Sequence, residues 1–317
     1  MPLTLQQYAA YLDSRNLVWP APPAVRLPKA KPYLVRLPQV RAVLWSVYGV
    51  LLRISGGELV FEHPEKFVMD IALDKTVQEF KMWGAMSRKP GQPAEYMGEI
   101  YRRVLADLRM APSPKEKHPE IMTEKIWEAV LKKLQQKDYK YDAAMYGSLP
   151  ELSQKIAYFF HASLQGTACY DGAAAALEHV QQLGLPQGVL ADTQCFSFVQ
   201  LQRGLTQQHA GLALDTLLPR TLRCVSHEVG GRKPSERLYK QCLTQLASLG
   251  IAPAQVLHVG ARLEQDLAPA KKVGMRTALF AGDKESLQAR PEQLKDPATR
   301  PDVMMTELSQ IAEVVGT

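Results

Sequence analysis

At 317 residues, 46% apolar and 22% charged, the chain has the size and composition of a soluble α/β domain with an inserted or second domain. Nearly all of its formal charge of +6 lies in residues 1–41, where Arg15, Arg26, Lys29, Lys31, Arg36 and Arg41 face Asp13 alone. The remainder is close to neutral, which excludes a basic groove for nucleic acid and leaves no nucleic-acid partner expected.

The longest apolar run, Val43 to Leu52, falls far short of the roughly 20 residues needed to cross a bilayer, so no membrane association is expected. Met1 to Arg15 has polar Gln6, Gln7 and Asp13 and no basic start, unlike a secretory signal. Cys169, Cys195, Cys224 and Cys242 form no C-x-x-C pair and show no metal-ligand spacing. Together these features imply reduced thiols and a cytoplasmic location.

In chain order, residues 3–17 place Leu5, Tyr8, Ala9, Tyr11 and Leu12 on one side of a short helix. Prolines at 20, 22, 23, 28, 32 and 38 then forbid helix and disfavour central strand. The tract 18–40 is therefore expected as an extended strap over the domain surface, anchored by Trp19, Tyr33, Leu34 and Leu37. This basic segment, 1–41, could meet an acidic partner or remain a solvated linker.

Val43-Leu44-Trp45 reads as a buried strand that ends in the small polar Ser46, with Gly49 three residues on. Open α/β sheets place their chemistry at such a point. A hairpin from Leu51 to Phe61, folded about Gly56-Gly57, is expected next. From 63 to 165 the apolar spacing is helical, over 65–75, 94–108, 122–136 and 149–164, with breaks at 85–93 and 110–114. Tyr96, Tyr101, Trp127, Phe159 and Phe160 are expected in the bundle core.

From 166 the pattern alternates between strand and helix. Strands are expected at 188–191, 222–226, 256–260, 277–280 and 303–305. Helices are expected at 172–183, around 198–201, and at 235–249, 267–273 and 307–314. Repeated units of this length imply a Rossmann-like parallel sheet with helices on both faces. The expected fold is thus an α/β core of 42–62 and 166–317, with 63–165 inserted as a helical cap above the carboxyl ends of the strands.

Four segments in order, together with that insertion, resemble the haloacid dehalogenase superfamily over residues 42–317. Trp45-Ser46-Val47-Tyr48-Gly49-Val50-Leu51 is similar to the family's Phe-Asp-x-(Asp/Tyr)-Gly-Thr-Leu. Leu190-Ala191-Asp192 is similar to its second motif, and Gly230-Gly231-Arg232-Lys233-Pro234-Ser235 to its third. Val259-Gly260-Ala261-Arg262-Leu263-Glu264-Gln265-Asp266 is similar to its fourth, Gly-Asp with a second Asp five residues on.

The resemblance implies a phosphohydrolase or dehalogenase ancestry. It implies that Ser46 stands where the nucleophilic Asp belongs, and that Tyr48 matches the dehalogenase-type members. It further implies that Ala191 replaces the phosphoryl-binding hydroxyl, Val50 the usual Thr, and Ala261 an Asp that holds Mg²⁺. Lys233 and Asp266 remain. A serine hydroxyl is not ionised at neutral pH and needs a positioned base, for which His227 and His258 are candidates.

Loss of a covalent nucleophile costs on the order of 10⁴–10⁶ in rate. With two hard carboxylate ligands replaced, Mg²⁺ expected for the family is not expected here, Asp266 being the only remnant ligand. The expectation is a catalytically inactive, hydrolase-like protein kept as an anion-ligand-binding or scaffold protein.

In the binding form of that expectation, Ser46, Thr193, Lys233 and Arg262 would hold a small anion. In the other form Arg262 points to solvent and Trp45 and Tyr48 fill the cleft; separately, Asp266 is expected to pair with Lys233 rather than to keep a metal ion. A protein partner could engage the cap or the basic arm, including an active relative stabilised by this chain. The alternative is an active phosphohydrolase or dehalogenase-type hydrolase using non-standard residues such as Ser46.

Overall fold

The computed structural model describes residues 1–86, 92–111 and 116–316. The expected breaks at 85–93 and 110–114 lie partly outside these residues.

The first helix, α1 (Leu5–Asp13), opens on a reciprocal cap between Thr4 and Gln7. After the arm come β1 (Ala42–Trp45) and β2 (Leu52–Arg53). The helical block contains α2 (Lys66–Glu79), α3 (Pro93–Met110), α4 (Thr123–Gln135), α5 (Ala143–Tyr146) and α6 (Leu149–Leu164). Then follow β3 (Ala168–Cys169), α7 (Ala173–Gln182), β4 (Gln187–Ala191), α8 (Ser197–Gln208), α9 (Leu214–Leu217), β5 (Arg223–Val225) and α10 (Ser226–Val229). The chain ends with α11 (Glu236–Ser248), β6 (Val256–Gly260), α12 (Ala268–Lys272), β7 (Arg276–Phe280), α13 (Pro291–Lys295), β8 (Val303–Met305) and α14 (Ile311–Val314).

Six strands form one parallel sheet in the order β5-β4-β1-β6-β7-β8, so β1 is central. Trp45 is level with Val189 on one side and Val259 on the other. Side chains alternate across the sheet as the strand period requires. Val43 and Trp45 join an apolar cluster with α7 and α14, while Ala42 and Leu44 join a second cluster with α11 and α12. Helices therefore cover both faces, and β1 is buried throughout. The helical block packs around its own cluster of Leu73, Tyr101, Trp127, Leu131, Ile156 and Phe160.

Three expectations are corrected. The segment 51–61 does not fold on itself: Leu52 and Arg53 pair with Cys169 and Ala168, the strand that returns from the helical block. Gly57 (φ +72°) instead lets the chain pass close to another loop, since a Cβ there would sit 2.7 Å from Ser286 Cα. The expected helix 307–314 is a short 3₁₀ turn, Leu308–Gln310, followed by α14, because the Gln310 side chain accepts the N–H groups of Thr306 and Glu307. Finally, Tyr33 anchors the strap through its backbone, which pairs with Met304, while its side chain is exposed.

Elsewhere the strap follows expectation. Among the described residues it has no regular element between α1 and β1 beyond that bridge, and Leu37 is buried. All four cysteines are free.

Candidate active-site cleft

The four motifs meet at the carboxyl end of the sheet, on the last residues of the strands and the segments that follow them. Ser46 leaves β1 with its N–H donating to Val259 O at 2.9 Å, which fixes it beside β6. Asp192 and Thr193 follow β4, Lys233 lies between α10 and α11, and Ala261 to Asp266 follow β6.

The centre of the cleft is a closed set of charges. Lys233 Nζ donates to Ser46 Oγ at 2.8 Å and to Asp266 Oδ1 at 2.7 Å. Asp266 also accepts the backbone N–H groups of Ala261 and Arg262, at 3.2 and 3.0 Å, and Arg262 Nη2 at 2.9 Å. The same guanidinium reaches Asp192 Oδ2 at 2.8 Å, and Asp192 Oδ1 accepts the Lys233 N–H at 2.7 Å. Glu58, from the segment after β2, lies 3.6 Å from Arg262 Nη1 and 3.6 Å from Arg232 Nη2. Three cations thus face three carboxylates.

Burial alone would push the Asp266 carboxyl up; Arg262 and Lys233 more than reverse this and hold it far below the usual carboxylate range. Burial likewise lowers the Lys233 ammonium, and Asp266 opposes that shift. The expected Lys233–Asp266 pair is therefore present and fully enclosed. Arg262 points inward, not to solvent. Trp45 sits in the sheet core, donating Nε1–H to Gln187, while Tyr48 does line the cleft, donating to Gln200 Oε1 at 2.6 Å.

Thr193 is brought to the cleft wall, but its hydroxyl is engaged with His227 Nδ1 at 2.8 Å. Burial pushes His227 down to about 4. His258 is buried in β6 and pushed down to about 3, first by burial and then by Lys233. Its Nδ1–H donates to Leu44 O. Ser46 Oγ is hydrogen-bonded by Lys233 Nζ and, among the described residues, by no histidine.

The space left is about 30 Å³, walled by Ser46, Tyr48, Glu58, Asp192, Lys233 and Arg262 among others. The helical block docks against its rim. Glu120 N–H donates to Gly230 O at 3.2 Å, and Arg232 N–H to His118 O at 2.8 Å. Gln194 ties the second-motif loop to the same segment, accepting from Thr123 N–H and donating to Glu120 Oε1 and Ile121 O. Burial, with the charge of Asp192, pushes the Glu120 carboxyl up to about 7.

Asp192, Glu58, Arg232, Glu120 and Gln194 were not singled out from the sequence. Asp192 had a signal, its place at a strand end beside Ala191. Glu58 and Glu120 had none, because only the closure of the helical block brings them in.

Mg²⁺ in this fold requires hard oxygen ligands. Ala261 offers no side-chain oxygen, and Asp192 and Asp266 are both engaged by Arg262. Among the described residues no three His, Cys, Asp or Glu side chains are grouped to hold a metal ion. No described helix is long and apolar enough to cross a membrane.

Comparison with known proteins agrees with the fold. Residues 231–311 match the family model described as HAD-hydrolase-like. The 2-haloacid dehalogenase of Pseudomonas syringae pv. tomato DC3000 superposes with a TM-score of 0.52 at 18% identity, over 86% of this chain and 97% of that one. A HAD phosphatase of Thermococcus onnurineus gives 0.47 at 15% identity, over 86% and 96%. The putative HAD-hydrolase YfnB of Bacillus subtilis, whose structure is bound to magnesium, gives 0.42 at 14%, over 86% and 96%. No curated protein matches the sequence.

Proposed function

We propose that this chain, a hydrolase-like protein with the haloacid dehalogenase fold, is a non-catalytic scaffold whose former catalytic cleft is sealed by its own charges. The observation that carries this reading is the placement of Arg262. Its guanidinium bridges Asp192 and Asp266, the two carboxylates left at the ends of β4 and β6. A permanently charged group bonded to both leaves little for a divalent cation, and a further +2 beside buried Arg262 and Lys233 would be strongly repelled. Mg²⁺ does not fit this donor set.

The same geometry favours a scaffold over a site for an anionic ligand. Lys233 and Arg262 are both already paired, and the space beside them is only about 30 Å³. The partner we propose is an acidic protein surface meeting the N-terminal arm. There Lys29, Lys31, Arg36 and Arg41 are exposed and, among the described residues, have no carboxylate in reach.

A second reading rests on the 2.8 Å contact between Ser46 Oγ and Lys233 Nζ. Serine–lysine pairs do serve as nucleophile and base elsewhere. Here Asp266 at 2.7 Å favours the protonated lysine, against the lowering that burial imposes, and in that form the ammonium donates to the serine. A panel of phosphate monoesters and 2-haloacids, with and without Mg²⁺, separates the readings. The scaffold reading expects no turnover from the wild type; turnover abolished by Ser46→Ala would overturn it in favour of the serine–lysine pair.

A further inference from the structure

We infer that the N-terminal arm is a splint laid across both linkers between the helical block and the sheet, holding the two in one fixed relation. The arm touches the two parts and the joint after α6 in turn, and meets the other joint at its first end, the β2 residue Arg53.

At its start, α1 wedges between the helical block and α8. On the block side, Leu3 N–H donates to Met145 O at 3.0 Å, and Arg15 Nη1 binds both oxygens of Glu79 at 2.6 and 2.7 Å. Tyr8 is fully buried, with its ring against Phe80 and Tyr146. On the sheet side, Arg203 of α8 binds Asp13 through both guanidinium nitrogens at 2.5 Å, and donates to Ala9 O at 3.1 Å.

The extended tract then leaves the block. Lys75 Nζ donates to Val18 O at 2.5 Å, and Trp19 packs edge-on against Phe159 of α6. Next it crosses the linker between α6 and β3. The approach there is so close that a Cβ on Gly166 would lie 2.3 Å from Pro20 O and 2.5 Å from Ala21 C. No side chain fits at 166 while the arm is in place.

Beside the other linker, which follows β2, Arg53 Nη1 donates to Pro23 O at 3.2 Å. Beyond this crossing, among the described residues, the arm's hydrogen bonds go to the sheet part. Arg26 N–H donates to Asp283 at 3.2 Å, Tyr33 pairs with Met304, and Leu37 N–H donates to Val314 O at 2.8 Å.

Pro20, Pro22 and Pro23 restrict the backbone over the crossing, so little conformational freedom remains to be lost when it docks. A strap that merely covered apolar surface would need no contact with both parts. This arm has paired or packed contacts on each side and its tightest approach over the joint. The inference concerns motion between the parts and does not depend on the cleft being inactive.

Hydrogen exchange on the full chain tests it, comparing the wild type with Arg203→Ala and Gly166→Ala. The expected result is exchange at least about tenfold faster in residues 54–65 and 165–167, with the amides of β1 and β6 unchanged. Faster exchange in residues 1–13 alone would overturn the splint, because the arm could then loosen without freeing the joints. An equal rise across β1 and β6 would also overturn it, as loss of global stability. Should Gly166→Ala fail to fold, Arg203→Ala gives the answer by itself, since its side chain is one-third exposed on α8.

Discussion

The cleft and the interior of the helical block handle buried polar groups in opposite ways. In the cleft, Lys233, Arg262 and Asp266 are each hydrogen-bonded at least twice, and the backbone supplies two further donors to Asp266. In the helical block, Thr123 Oγ1, Trp127 Nε1, Ser163 Oγ and both ring nitrogens of His161 are buried with no hydrogen-bond partner. Fixed charges cannot go unpaired out of water, whereas a neutral hydroxyl or imidazole can, at a cost of about 1–3 kcal/mol each. The cleft is therefore mutually dependent, and the helical interior is built of separable parts.

The largest effect follows from breaking the dependent set. Asp266→Ala leaves the Lys233 ammonium facing only Ser46 and removes three bonds from Arg262, two of them from its side chain. A loss of about 3–5 kcal/mol is expected, because one partner of a buried pair is removed and the other stays charged. Urea denaturation with unchanged m-value measures it; a loss below about 1 kcal/mol would mean that the cleft is wetter and less coupled than described.

A pH profile probes the rim of the same cleft. The Glu120 carboxyl is raised from 4.5 to about 7 in the folded chain, so the folded state holds its proton longer than the unfolded state does. Stability contributed by the protonated form is fully present below about pH 4.5 and is lost as pH rises through about 7, by on the order of 2–3 kcal/mol. Glu120→Gln should remove this falling limb and leave the rest of the profile in place. Parallel wild-type and variant curves between pH 4.5 and 7 would deny Glu120 the role.

The smallest effect, opposite in sign, belongs to the helical interior. His161 is enclosed by Phe61, Phe160 and Phe196, and burial pushes it down to about 3, so it is neutral at ordinary pH. His161→Leu, of similar volume, removes two orphaned nitrogens and should stabilise the chain by about 1 kcal/mol. Thermal melting decides this; destabilisation by a similar amount would place an ordered water or an unseen partner at the ring.

The legibility of the molecule followed the same division. The sheet strands were readable because strands buried on both faces are continuous apolar runs, and the helices of the block because their spacing repeats. Lys233 and Asp266 were found as a pair from motif order alone. The hairpin at 51–61 was misread because two adjacent glycines signal a turn just as well as they signal a close approach to Ser286. Whether Arg262 faced the cleft or solvent could not be read locally, since the deciding partner, Asp192, lies 70 residues away. Glu120 and the docking of α1 against both α6 and α8 are likewise products of packing, with no mark in their own segments.

On the proposed reading, Arg262 stands as the cation of the cleft in place of a metal ion. Isothermal titration with Mg²⁺ tests it most directly, on the wild type and on the double variant Ala261→Asp/Arg262→Ser, each first shown to be folded. No saturable heat is expected from the wild type, and saturable one-to-one binding from the variant, which regains a carboxylate at 261 and frees Asp192 and Asp266. Saturable Mg²⁺ binding by the wild type would contradict it.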